Sequence, residues 1–191
     1  MPASSSIELS QADKRELIRM VWQVLDHALA GRGLILPSPP SSEALQRHCA
    51  CFVTLYHGGE LRGCIGTVQT KDPLWRVACE NAYASGFNDQ RFLPLTLAER
   101  AELSLDIAIL SPLIPIENQG EQALLDTLRP DIDGLLMDDG RRRALFLPSV
   151  WRSLPTPKAF VTALKQKGGW HPNFWHDSIT LQRFTTQVIS S

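Results

Sequence analysis

Apolar residues near the start of the chain recur at helical spacing: Leu17, Val21, Val24, Leu25 and Ala28 fall on one stripe. Ser10 can cap this helix, Asp13 and Glu16 suit its positive end, and Gly31 and Gly33 stop it. Residues 37–42 (PSPPSS) sustain neither helix nor sheet and read as a loop. Two strands follow, about 50–57 and 60–68, joined at Gly58-Gly59, where both turn residues can take positive φ. A second helix is predicted over about 73–86. Asp72 is its cap, Pro73 takes its first position, Gly86 closes it, and Leu74, Val77, Ala78 and Ala82 form its buried stripe. Residues 87–95 are irregular, and Thr96-x-x-Glu99 reads as a capping box.

Strict alternation over 103–110 predicts a strand with Leu103, Leu105, Ile107 and Ile109 on the buried face. Pro112 and Pro115 break the chain, and a short helix is expected near 120–128. Strands at 134–137 and 142–147 flank a turn at Asp138-Asp139-Gly140. The last helix starts at Thr156-Pro157, turns Phe160, Val161 and Leu164 inward and stops at Gly168-Gly169; a closing strand spans about 178–188. The order α, ββ, α, β, α, ββ, α, β gives an α+β fold with a mainly antiparallel or mixed sheet and flanking helices. The phosphate-cradling glycine motifs of dinucleotide and P-loop folds, the Gly-x-Ser-x-Gly elbow and the His-Glu-x-x-His zinc motif do not occur. No cofactor is implied.

Composition narrows the partners. Nineteen basic and twenty acidic residues among 191 leave a formal charge of -1, without the basic excess that nucleic-acid binding uses. No apolar run reaches the roughly 18 residues of a membrane span, and Met1 to Ser6 lack a signal-peptide layout. A cytoplasmic, reducing location is therefore expected, with Cys49, Cys51, Cys64 and Cys79 as free thiols. Cys49 and Cys51, with His48 and His57 nearby, permit a metal reading; no second pair follows at zinc spacing, so burial is the simpler account and no metal is assigned.

One segment resists a purely structural explanation. In Leu61-Arg62-Gly63-Cys64-Ile65-Gly66-Thr67, two glycines bracket a cysteine, and glycine inside a strand usually marks a bulge or a close backbone approach. On a regular strand Arg62 shares a face with Cys64, and a neighbouring cation raises a thiol's reactive thiolate fraction. The same residues admit a plainer reading: a bend where a helix crosses, with Cys64 as a small buried hydrophobe.

This heptad is followed, in order, by Asn81-Ala82, NDQRFLPL at 88–95, ELSLDIAIL at 102–110, Asp133-Gly134-Leu135 and Phe146-Leu147-Pro148. With these segments the chain resembles the AMMECR-like domain family, called AmmeMemoRadiSam system protein A in bacteria and archaea, over roughly residues 10–188. The resemblance implies a single domain over 1–191, built of two intimately associated, unequal lobes with a cleft between them; residues 1–9 are expected to form a flexible N-terminus. It also implies association with a radical SAM enzyme and a Memo-like protein, and it marks the heptad as a suspected site, without naming a reaction. The chain departs from the family around 141–145 (RRRAL) and at His171 to His176.

Outside the heptad, Asp89 and Arg91 occupy a loop, where Arg91 can grip a carboxylate or phosphate or simply pair with Asp89. His171 and His176 flank the aromatic run WHPNFWHD, which reads as a plug; Asp131, Asp133, Asp138 and Asp139 read as turn residues, and Arg141 to Arg143 as a solvated face. Two functions compete. In the first, Cys64 is a thiolate nucleophile beside Arg62, His57 is its base, and Thr67 with the Gly63 and Gly66 amides stabilises developing charge. In the second, a non-catalytic module receives a small molecule or polypeptide in the cleft and against the backbone of Gly63 and Gly66, with Asp89 and Arg91 as further contacts. Metal carriage by Cys49, Cys51 and a histidine is a third, weaker idea.

Overall fold

The computed structural model describes residues 7–191. In chain order the elements are α1 (Gln11–Leu29), α2 (Glu43–Gln46), β1 (Cys51–His57), β2 (Glu60–Gly66), α3 (Leu74–Phe87), β3 (Leu103–Leu110), β4 (Ile114–Ile116), α4 (Glu121–Thr127), β5 (Gly134–Asp138), β6 (Arg143–Phe146), α5 (Pro157–Lys167), β7 (Thr180–Phe184) and β8 (Thr186–Ser190). The chain divides into two units, one built from residues up to 111 together with 187–191, the other from 112–186. The α+β class and the antiparallel strand pairing follow the hydrophobic pattern.

The first unit is a four-stranded sheet in the order β2-β1-β3-β8, with α3 lying on β1 and β2 and α1 on α3. Ser10 and Asp13 form a reciprocal capping box at the start of α1. Its stripe of Leu17, Val21, Val24 and Leu25 meets Val53, Leu55, Leu105 and Ile107 from the sheet, all essentially without solvent contact. Each such side chain contributes about 1.5–3 kcal/mol on burial. The β1–β2 hairpin turns at Gly58 and Gly59, both at positive φ. Strand β2 is an edge of the sheet.

The second unit is a sheet in the order β4-β7-β5-β6 packed against α4 and α5. Trp151 stacks on Phe160 at 3.9 Å between ring centres, and Leu135, Met137, Val161 and Leu164 fill the surroundings.

Four expectations change. Residues 1–6 lie outside the described residues; Ile7 and Leu9 are buried in the core, so the flexibility expected over residues 1–9 does not hold at these two positions. Helix α3 is not capped by Asp72: Pro73 itself is the N-cap residue, held by a bridge to His48. Gly86 does not end α3 but lies within its last turn, where a Cβ would stand 2.7 Å from Leu95 Cδ1; the residue is small for packing rather than for termination. The expected closing strand is two strands, β7 and β8, which belong to different sheets. Strand β4 and helix α2 carry too few residues for any periodicity to announce them.

Candidate functional site

Strand β2 is held on its flank by α3. Gly63 lies directly against that helix: a Cβ there would stand 3.0 Å from the Ser85 carbonyl carbon and closer still to its oxygen. The Ser85 hydroxyl accepts from the Ile65 N–H at 2.9 Å and reaches the Val53 carbonyl at 2.8 Å. Since Val53 and Ile65 are register partners, this hydroxyl is inserted between two strands at a point where they would otherwise bond directly. At Gly66 the space a side chain would use is filled by the Phe52 ring. Thr67 donates its N–H to the Cys51 carbonyl and places its hydroxyl on Asn81. At Gly63 and Gly66 the close approach on the Cβ side is thus made by the protein's own helix and ring, and Thr67 is tied by two hydrogen bonds.

The register also relocates Arg62. Gly63 faces Leu55 and Leu61 faces Tyr56, so Arg62 is an extra residue at a bulge and leaves the strict alternation that would have put it beside Cys64. Its guanidinium runs instead to Glu99, with Nε to Oε1 at 2.6 Å, and donates to the Leu93 carbonyl at 2.9 Å. Arg62 in turn holds the Glu99 carboxyl down to about 2. His57 is set apart as well. It lies at the far end of β1, three residues past Thr54, with Nε2 3.7 Å from Glu102; three strand residues are about 10 Å. Neither the expected cation nor the expected base is next to the sulfur.

Two other expected residues do converge on Cys64. Asp89, buried in the loop after α3, accepts from the Cys64 N–H at 2.9 Å. Arg91 donates from Nη2 to the Cys64 carbonyl at 3.3 Å and grips Asp89 through Nη2 at 2.7 Å and Nε at 3.0 Å. The Arg91 guanidinium, then the amides of Cys64 and Arg91, hold the Asp89 carboxyl far below the usual carboxylate range. The pair fixes the main chain of Cys64 from the open edge of the sheet. Phe92 between them meets both guanidinium groups, Arg91 at 5.5 Å and Arg62 at 5.8 Å.

The sulfur itself is half-buried and points to the sheet face opposite α3. Thr54, its partner in register, donates its hydroxyl to Sγ at 3.3 Å. Asp106 of β3 stands next to Thr54 in the same row. Thr54 and Asp106 were not singled out as site residues from the sequence, because their relevance depends on strand register; the signal present was Asp106 as the charged residue inside an otherwise apolar strand pattern. The other three thiols are occupied differently. Burial pushes Cys49 up to about 11 and Cys79 up to about 12, and raises Cys51 further still. Cys49 donates to the Leu110 carbonyl at 3.4 Å, a contact that favours the protonated thiol. Among the described residues, no cluster of three or more His, Cys, Asp or Glu residues could hold a metal ion.

The remaining candidates belong to the second unit and are structural. Trp170 is buried and donates from Nε1 to Asp139 at 2.7 Å; His171 and His176 are exposed and accept from turn amides of Asn173 and Ser178. Asp133, read from the sequence as a turn residue, is wholly buried and paired with Arg129 at 2.6 Å.

A family model described as AMMECR1 matches residues 18–189. The chain belongs to the AMMECR1 family. Among its relatives, Protein MJ0810 of Methanocaldococcus jannaschii is 29% identical over 178 residues, covering 90% of this chain and 87% of its own length. A protein of Thermotoga maritima is 33% identical over 147 residues, covering 76% and 79%. The solved structure of the uncharacterized protein PH0010 from Pyrococcus horikoshii superposes with a TM-score of 0.84 at 26% identity, covering 91% of this chain and 88% of that one. The AMMECR1 fold thus accounts for both units. Among the described residues of this AMMECR1 protein, no helix is long and apolar enough to cross a membrane.

Proposed function

We propose that this protein is a cytoplasmic, thiol-dependent component of a modification pathway, acting alongside a radical SAM enzyme and a Memo-like protein, with Cys64 as the reacting group. The observation that carries this reading is the contrast among the four cysteines. Three are raised by burial, whereas the half-buried Cys64 sulfur meets a hydroxyl on the sheet face opposite α3 while Asp89 and Arg91 fix its backbone. A nucleophile held at both its amide and its carbonyl is pre-positioned, so little ordering remains to be done when substrate arrives. Thr54 orients the sulfur, and Arg91 holds the Cys64 carbonyl at the strand edge. Asp89, Arg62 and Glu99 act at one remove, by holding the strand and its loop.

The test is timed iodoacetamide labelling of the folded protein at neutral pH, read by peptide mass spectrometry. Cys64 reacts more than about tenfold faster than Cys49, while Cys51 and Cys79 stay unlabelled until the chain unfolds. His57→Ala leaves the Cys64 rate within about twofold, since His57 lies at the hairpin end of β1, about 10 Å along the strand from Thr54. Labelling of Cys64 no faster than that of Cys49 overturns the proposal.

A further inference from the structure

The Arg91 guanidinium on the Cys64 carbonyl suggests at first an anionic substrate, and the charge accounting points the other way. Arg62 is matched by Glu99 and Arg91 by Asp89, each through two charge-assisted hydrogen bonds, so both charges are already countered within the protein, and of their buried donors only Arg62 Nη1 is without a partner among the described residues. The charge on this face without a counterpart is negative. Cys64, Thr54 and Asp106 form one row across β2, β1 and β3, and Asp106 is half-buried at the middle of a strand flanked on both sides. Among the described residues its carboxylate has no hydrogen bond or ion pair. Aspartate is disfavoured in strand interiors, and a half-buried carboxylate with no protein partner has only the solvent it still reaches to balance its charge. A residue that breaks a local rule without a structural return marks a place where function is the compensation.

Resting on the reading of Cys64 as the reacting group, we infer that Asp106 selects cationic substrates for this thiol. The substrate carries a protonated amine, or another positive group of that size, about two strand spacings, roughly 10 Å, from the atom that the sulfur meets. Thr54 stands between the two and lines the path from one to the other.

The experiment compares three methanethiosulfonate reagents on the full chain: one bearing a trimethylammonium group, one bearing a sulfonate, and the neutral methyl reagent. Rates of disulfide formation at Cys64 are read by mass spectrometry and normalised to a free thiol. A full charge at roughly 10 Å in water-like dielectric changes the cationic-to-anionic rate ratio by about fourfold, and by more where the surroundings are less polar. The wild-type ratio exceeds one at low salt and falls toward one at high salt. Asp106→Asn lowers it by about fourfold or more with the neutral rate within about twofold, whereas Asp126→Asn, the same charge change on α4, leaves it unaltered. An unchanged ratio in Asp106→Asn, or a wild-type ratio below one, overturns the inference while leaving the thiol reading standing. Failure of the neutral reagent to modify Cys64 in the wild type overturns the thiol reading, and this inference with it.

Discussion

Gly63→Ala is the sharpest probe of how the site is held. The added methyl would stand 3.0 Å from the Ser85 carbonyl carbon, against the 3.5–4.0 Å of an unstrained contact, and nearer still to the oxygen. Neither atom belongs to a side chain that can swing aside, so α3 and β2 must separate. Overpacking of this kind costs about 1–3 kcal/mol. Separation also withdraws the Ser85 hydroxyl from Ile65 and Val53, two hydrogen bonds worth about 1 kcal/mol each. The stiffer unfolded chain returns about 0.4–1 kcal/mol. The net loss is about 2–4.6 kcal/mol. Hydrogen exchange at the Cys64 and Ile65 amides in the native state, alongside urea unfolding, measures it where it arises, and Cys64 labelling by iodoacetamide should lose its selectivity as the strand loosens. Ser85→Ala, which removes only the bridging hydroxyl, should reproduce part of the effect. A Gly63→Ala protein within about 1 kcal/mol of wild type, with exchange at those amides unaltered, would refute the view that helix backbone and strand are in fixed contact.

Two further outcomes follow from the ion pairs. Asp89 and Glu99 have folded-state values depressed by Arg91 and Arg62, so the stability they add is present above the ordinary carboxylate range and is lost as pH falls from about 4 toward 2; Glu99→Gln, followed by urea unfolding across that window, should show a shallower loss than wild type. In the second unit Lys165 is fully buried against Glu121 at 2.8 Å. Glu121→Ala should therefore destabilise by about 2 kcal/mol or more by leaving that charge without its partner, and Lys165→Met should cost much less, as thermal unfolding of the two variants will show.

What the sequence disclosed and what it withheld divide along a physical line. Elements with sustained periodicity or strong local chemistry were legible: the α1 stripe with its Ser10–Asp13 box, the Gly58-Gly59 hairpin, alternation through Leu103–Leu110, and Pro157 opening α5. The convergence of Asp89 and Arg91 on Cys64 was not, because it joins residues some 25 positions apart through a loop that has no periodicity. Strand period alone put Arg62 beside the thiol; the bulge that removes it arises where Gly63 is drawn under Ser85, a tertiary event invisible to a local pattern. The glycines were correctly read as a place of close approach, but what approaches is the chain's own helix and the Phe52 ring. Asp106 was visible as a polar interruption in an apolar strand, yet its neighbourhood appears only once the β1–β3 register sets it beside Thr54.

The grip of Asp89 and Arg91 on Cys64 has a consequence beyond the thiol. A bare border of a sheet invites another chain to add itself there, since unsatisfied amides and carbonyls act as a template for growth. Here a carboxylate accepts where an arriving strand's carbonyl would, and a guanidinium donates where its amide would. Two side chains thus take the hydrogen-bonding places of a fifth strand, and a chain adding itself at Cys64 would have to displace both.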